Sequence, residues 1–271
     1  MKILLIADVH DKLFGSLKTI RELKKVVSST KCDLIVFLGD TVHGPSTPHF
    51  IYKKRLHRAV SVACGKPFAT VFGNHDDECS TTKEEILGWL KEEPNCLTKG
   101  RNYFLDYGDT RLLFIDSGSY CKGDESGYAY VDTKTIKWAK DASYGKRTIL
   151  FQHIIMPDIM ELIEESDEQK DGFVKDGSKW YRFKDGVSFI GSLGERPCPP
   201  DFNNKQLEEL KENVCCAVFG HDHLNDFELD VQGVRFIQCA GAGSNSYDRS
   251  HPSSVKLLDT NTLETIKIPV G

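Results

Sequence analysis

The sequence predicts an α/β fold of two mixed β-sheets packed face to face, with helices on the outside. Three observations carry that expectation. In the first half of the chain, short apolar runs alternate with amphipathic helices, the rhythm of strands joined by helical crossovers. The second half carries closely spaced strand signals of the meander type. Finally, five apolar runs end abruptly in polar residues, at positions 8–10, 39–40, 74–76, 153 and 221–223. The richest of these is Gly73-Asn74-His75-Asp76-Asp77, directly after Phe68-Ala69-Thr70-Val71-Phe72. In α/β sheets, ligands collect beyond the carboxyl ends of the strands. All five clusters lie there.

Residues 2–7 are apolar almost throughout, as in a strand covered on both faces, and end in Asp8-Val9-His10. A helix follows, with Ser16 as N-cap and Leu17, Ile20, Leu23 and Val27 on one face. Residues 34–38 form the second strand and stop at Gly39-Asp40. A polar, proline-bearing loop over 41–48 leads to a basic helix over 49–64, and the third strand delivers Asn74 and His75. Thr81-Thr82-Lys83-Glu84 has the form of a capping box and opens a helix that stops before Pro94. Residues 103–107 and 112–115 flank Gly108-Asp109, a hairpin signal, and the second run leads into Asp116. Asp132 caps a helix to about residue 144, after which 148–151 lead to His153. The stretch 157–200 reads as a short acidic helix followed by Gly, Lys, Trp and Phe without period, the character of a lid, a binding loop or ordered surface structure. Residues 204–212 are helical, 215–219 form a buried strand ending in Gly220-His221-Asp222-His223, and short strands over 226–231, 234–239, 254–258 and 265–270 close the chain. With no repeat, low-complexity tract or linker, residues 1–271 are expected to form a single domain.

The 271 residues carry a formal net charge of -5 with both signs interspersed, so no basic stripe marks a nucleic-acid or membrane partner. No apolar run reaches the roughly 18 residues that a membrane span needs. Residues 1–7 run straight into candidate ligands without a charged leader or cleavage site, and read as mature sequence. Nine cysteines without Cys-x-x-Cys spacing, several beside apolar runs, point to reduced thiols. A cytoplasmic location is expected.

The candidate ligands are Asp8, His10, Asp40, Asn74, His153, His221 and His223. Singly, most have an ordinary explanation: Gly39-Asp40 as a turn, the Gly-Asn-His-Asp stretch as a hydrogen-bonded turn, His153 as a core or surface histidine. Asp8 and His10 alternate along a strand end and so share a side, and two same-face imidazoles at His221 and His223 have few structural uses. Together, imidazoles, carboxylates and one amide oxygen suit manganese, iron or zinc and suit calcium poorly. Seven ligands exceed what one catalytic ion with open positions needs. Two ions sharing a carboxylate, about 3.5–4 Å apart, are the economical reading.

The ordered set Asp8-x-His10, Gly39-Asp40, Gly73-Asn74-His75-Asp76, His153 and Gly220-His221-x-His223 resembles the calcineurin-like metallophosphoesterase superfamily over essentially the whole chain. The stretches 72–78 and 220–227 are similar to a purple-acid-phosphatase-like subgroup known from plants and fungi. The resemblance implies a four-layer α/β sandwich. It also implies that one metal takes Asp8, His10, Asp40 and His223, and the other Asp40, Asn74, His153 and His221, with Asp40 bridging. His75 is then not a ligand but the residue that protonates the leaving oxygen or holds the phosphate, with Asp76 orienting its ring. An imidazole, whose ordinary pKa is about 6.5, suits either role. In the implied reaction, a metal-bridging hydroxide attacks phosphorus. One departure stands out: purple acid phosphatases carry a tyrosine three residues after the bridging aspartate, and here that position is His43. No tyrosinate charge-transfer band is therefore expected.

The substrate is expected to be a small phosphomonoester, with two metal ions as cofactors. A phosphodiesterase for cyclic nucleotides or similar small diesters is the alternative, and a non-catalytic metal-binding scaffold a third reading. His43, Arg196 and Arg249 are candidate substrate contacts, Tyr120 lies among the residues at the mouth, and Asp222 and Asp226 are candidate partners of the metal-binding histidines. The oligomeric state is left open.

Overall fold

A computed structural model describes residues 1–12, 16–78, 80–121, 127–243 and 253–271. Arg249 and much of the glycine-rich stretch 240–249 lie outside the described residues. In chain order the elements are β1 (Lys2–Ile6), α1 (Leu17–Ser29), β2 (Leu34–Leu38), α2 (His49–Val60), β3 (Phe68–Val71), α3 (Lys83–Leu90), β4 (Tyr103–Tyr107), β5 (Thr110–Phe114), α4 (Thr133–Ser143) and β6 (Arg147–Phe151). Then come β7 (Ile163–Ser166), β8 (Val174–Asp176), β9 (Lys179–Phe183), β10 (Phe189–Ser192), α5 (Gln206–Leu210), β11 (Val214–Phe219), β12 (Asp226–Val231), β13 (Val234–Gln238), β14 (Ser254–Asp259) and β15 (Thr265–Pro269).

Two large mixed sheets form the centre. One has five strands in the order β15-β14-β1-β2-β3, the other seven in the order β10-β12-β13-β11-β6-β5-β4. The ligand-bearing strands are parallel neighbours within each sheet: β1, β2 and β3 in the first, β6 and β11 in the second. Their carboxyl ends therefore open on the same rim.

Side-chain alternation explains the layering. Ile3, Leu5, Val36 and Leu38 face one way and pack with Leu112, Phe114, Ile149, Phe151 and Val218 from the other sheet. Leu4, Ile6, Ile35 and Phe37 face the other way, against Ile20, Leu23 and Val27 of α1, Tyr52 and Leu56 of α2, and Ile86 of α3. On the far side, Leu150, Phe219 and Phe236 pack against Ile136 and Ala139 of α4, Leu207 of α5, and Tyr181 and Phe183 of β9. The result is helices, sheet, sheet, and helices with a small third sheet. This is the expected four-layer sandwich.

Several local expectations differ. Leu17 is 69% exposed, so the buried face of α1 is Thr19, Ile20, Leu23 and Val27. The capping box lies one residue later than expected: Thr82 accepts from Glu85 N–H, and the Glu85 side chain accepts from Thr82 N–H. The acidic helix is instead a 3-10 turn over Pro157–Leu162 followed by β7. There β7 pairs with β9, which also pairs with β8, in a three-stranded antiparallel sheet. Burial of Ile163, Tyr181 and Phe183 against the second sheet overrides the helical leaning of Glu161, Glu164 and Glu165. The eight cysteines among the described residues are all free. No described helix is long and apolar enough to cross a membrane.

Candidate metal centre

Each candidate ligand sits just past the end of a strand, where the chain leaves the ladder. Four of them, Asp8, His10, Asp40 and His221, have positive φ, at 50°, 44°, 47° and 76°. Left-handed backbone is uncommon outside glycine and persists where surrounding contacts impose it. The contacts are visible: His10 N–H donates to the Asp40 carbonyl at 2.9 Å, and His221 N–H to Asp8 Oδ2 at 3.0 Å. Asp8 and His10 therefore converge because the backbone turns, not because a strand alternates.

The loop carrying His10 is anchored from α2. Buried Asp11 accepts from Arg58 Nε at 3.0 Å and lies 3.7 Å from Arg55 NH1. Gly73 lets Asn74 approach. A Cβ there would collide with Asp40 Oδ1 and lie 2.6 Å from Asp40 N.

The ligand atoms meet in overlapping groups. Atoms of Asp8, His10 and His223 lie within 4.8 Å of one another, as do those of Asp8, Asp40 and His153, and of His10, Asp40 and His75. His10 Nε2 is 2.9 Å from His223 Nε2 and 3.6 Å from Asp40 Oδ2, while His223 Nε2 is 3.5 Å from Asp8 Oδ1. On the other side, His153 Nε2 is 3.3 Å from Asp40 Oδ2 and 3.1 Å from Asn74 Oδ1. Asp40 Oδ2 thus lies between the groups, while Oδ1 accepts from His75 N–H at 2.9 Å.

These donors fit a cation. His153 Nδ1 donates to the Leu38 carbonyl at 2.6 Å, which turns the Nε2 lone pair toward two oxygen acceptors. Three acceptor atoms cannot satisfy one another without a proton or a metal between them. Asp8 Oδ1 and His221 Nε2 are also buried without a hydrogen bond, an uncommon condition for buried polar atoms. The electrostatics agree. Burial disfavours charge on His153, but Asp40 and Asp8 outweigh it and raise the ring to about 10. Burial, with His153 beside it, pushes His221 down to about 3. Asp8 stays ionised well below the usual carboxylate range: burial opposes this, and His10 and His223 overcome it.

Around the centre, His43 stacks on His75 with ring centroids 5.5 Å apart, its Nδ1 2.8 Å from Ser46 Oγ. Burial, then His10, lowers its pKa to about 4. His75 Nε2 is 3.9 Å from Asp40 Oδ2. Two expectations need correction. Asp76 does not orient His75: it is buried, accepting from Tyr52 OH at 3.0 Å and from Gly73 N–H at 2.8 Å. The carboxylate at His75 Nδ1 is Glu78. Its signal was the three-residue spacing across the 3-10 turn His75–Asp77, which brings positions i and i+3 together. Asp222 and Asp226 do not bond the histidines either; Asp222 accepts from Cys198 N–H and Asn225, and Asp226 pairs with Lys256 and Lys267. Arg196 contacts the Pro197 carbonyl at 3.3 Å and the Tyr181 ring.

Residues 1–225 match the family model for calcineurin-like phosphoesterases, and the chain belongs to that family. It is 28% identical over 267 residues to the Arabidopsis thaliana protein named probable inactive purple acid phosphatase 14, covering 86% of this chain and 64% of the relative. With the Saccharomyces cerevisiae phosphatase DCR2 it shares 24% over 266 residues, covering 86% of this chain and 43% of that protein. The chain thus spans less than two thirds of the length of these two relatives. Among solved structures, a dimetal phosphatase from Danio rerio superposes with a TM-score of 0.60 at 14% identity, covering 100% of this chain and 99% of that one. At that identity the likeness concerns the fold.

Proposed function

We propose that the chain is a two-metal phosphohydrolase acting on small phosphomonoesters. The observation supporting this most strongly is the gathering of ligand atoms from five strand ends into three overlapping groups, with Asp40 Oδ2 close to both His10 and His153. Asp8, His10, Asp40 and His223 would hold one cation, and Asp40, Asn74, His153 and His221 the other. Manganese, iron or zinc held there would supply a water acidic enough to attack phosphorus and positive charge for the phosphoryl oxygens. His75 lies at the rim, suited to deliver a proton to the leaving oxygen as its bond to phosphorus breaks. His43, stacked beside it, faces the same ester.

The relatives' name "probable inactive" supports a competing reading, a metal-binding protein without turnover. One assay separates them. Metal-depleted protein is supplied with manganese, ferrous iron or zinc and offered p-nitrophenyl phosphate and bis-p-nitrophenyl phosphate, with Asp40→Ala as control. The proposal predicts metal-dependent turnover of the monoester, lost in the control. Faster diester hydrolysis would replace it with the phosphodiesterase reading. Two bound ions without turnover of either ester would favour the non-catalytic one.

A further inference from the structure

We infer that Glu78 is the positioning residue of His75, and that Tyr120 joins it to Asn74 in one hydrogen-bonded chain from metal ligand to leaving group, an inference that rests on the phosphohydrolase reading above.

The chain is set by donor and acceptor inventory. An ionised carboxylate only accepts. Glu78 Oε1 lies 2.7 Å from Tyr120 OH, so the single tyrosine proton points at Glu78. The lone pairs of the same hydroxyl then accept from Asn74 Nδ2 at 2.9 Å. That contact fixes which way the Asn74 amide faces: nitrogen toward Tyr120, Oδ1 toward His153 Nε2. The other oxygen of Glu78 meets His75 Nδ1. With Nδ1 held there, Nε2 is the nitrogen turned toward Asp40. Asp76, the neighbour that would otherwise serve, is occupied by Tyr52 and Gly73. Tyr120 is itself held by its ring, stacked 5.5 Å from Tyr128, whose edge meets His221 at 4.4 Å.

A plain surface pair would also join a histidine to a glutamate three residues on, and such pairs contribute little. The two cases differ in what they do to the leaving group. p-Nitrophenolate departs without a proton, whereas an alkoxide needs one. A residue acting through His75 therefore affects alkyl esters selectively.

The test uses the metal-loaded protein and Glu78→Gln, with β-glycerophosphate and p-nitrophenyl phosphate as substrates. The inference predicts that kcat for the alkyl ester falls about 10–100-fold, the usual loss when an orienting partner is removed, and much less for the nitrophenyl ester. An equal fall, or none, overturns it. A second readout does not need turnover: in proton NMR, the hydrogen-bonded Nδ1 proton of His75 gives a downfield exchangeable resonance. It should be present in the parent protein and absent from both Glu78→Ala and His75→Ala. Its persistence in Glu78→Ala overturns the inference. If the resonance behaves as predicted while neither ester turns over, the hydrolase reading fails and the pairing stands. Tyr120→Phe tests the far end of the chain: manganese titration should show affinity at one position weakened about 10–100-fold. Unchanged affinity at both positions overturns the link to Asn74.

Discussion

His153 Nδ1 donates to the carbonyl oxygen of Leu38 across 2.6 Å, and this one bond decides which ring nitrogen faces Asp40 and Asn74. Leu38 ends β2 in one sheet, and His153 follows β6 in the other. The bond therefore ties the two sheets together at the rim where the ligands gather. It also leaves no room beside the ring. A Cβ on Gly39 would lie 2.5 Å from His153 Nδ1, and Gly39 has φ +90°.

Gly39→Ala should consequently lose stability and metal binding together. Overpacking of this kind costs about 1–3 kcal/mol, and left-handed backbone on alanine adds to it. Urea unfolding and manganese titration of the same sample provide the check. A stable variant with undiminished affinity would show that the ring has room to move.

His75→Ala is expected to keep two bound ions and lose about 10²–10⁴ in turnover, the usual contribution of a general acid. Metal analysis beside steady-state rates reads both. Nearly full turnover with both ions bound would remove His75 from the reaction.

Asp76 is predicted to matter for folding. Its carboxylate is buried under Tyr52 OH, and burial, then the Asp40 charge, raises its pKa to about 7. Tyr52→Phe leaves that buried acceptor short of a donor, costing about 1–3 kcal/mol. Turnover of the folded variant should stay near that of the parent. Denaturant midpoints beside kcat test the split.

A buried ion cluster joins the sheets at their other edge. Lys256 of β14 lies 2.7 Å from Asp226 and 3.0 Å from Glu228 of β12. Burial opposes ionisation of both carboxyls, but Lys256 and its neighbours hold them below their ordinary values. With folded pKa values depressed, the stabilisation is fully present above the unfolded carboxylate range near 4 and is lost as pH falls through the folded values. Lys256→Met should destabilise at neutral pH, by less than the about 3–5 kcal/mol of a wholly unpaired buried charge, because Asp226 keeps Lys267 and Glu228 keeps Arg235. The gap from the parent should narrow on acidification. Thermal or urea unfolding across pH measures it, and a gap independent of pH would contradict the assignment.

The strands that position the centre were legible because β1 and β2 are buried on both faces, so Ile3 through Ile6 and Leu34 through Leu38 are apolar without alternation. Asp8, Asp40 and His153 were conspicuous because each ends such a run. What could not be read was set by contacts distant in sequence. The left-handed turns at Asp8 and Asp40 depend on bonds between separate strand ends. Ile163 becomes strand because β9, some twenty residues later, pairs with it. Leu17 looks like part of the buried face of α1, yet no layer covers it. Asp76 adjoins His75 in sequence, but across the 3-10 turn the carboxylate that meets its ring is Glu78, three residues on.

A two-metal site is tested most directly by the number of manganese ions bound per chain, measured by titration of metal-free protein and of Asp40→Ala. Two ions are expected on the parent chain and weakened binding of both in the variant, because Asp40 Oδ2 lies between both groups. A single ion on the parent, or two ions bound undiminished without the Asp40 carboxylate, would contradict it.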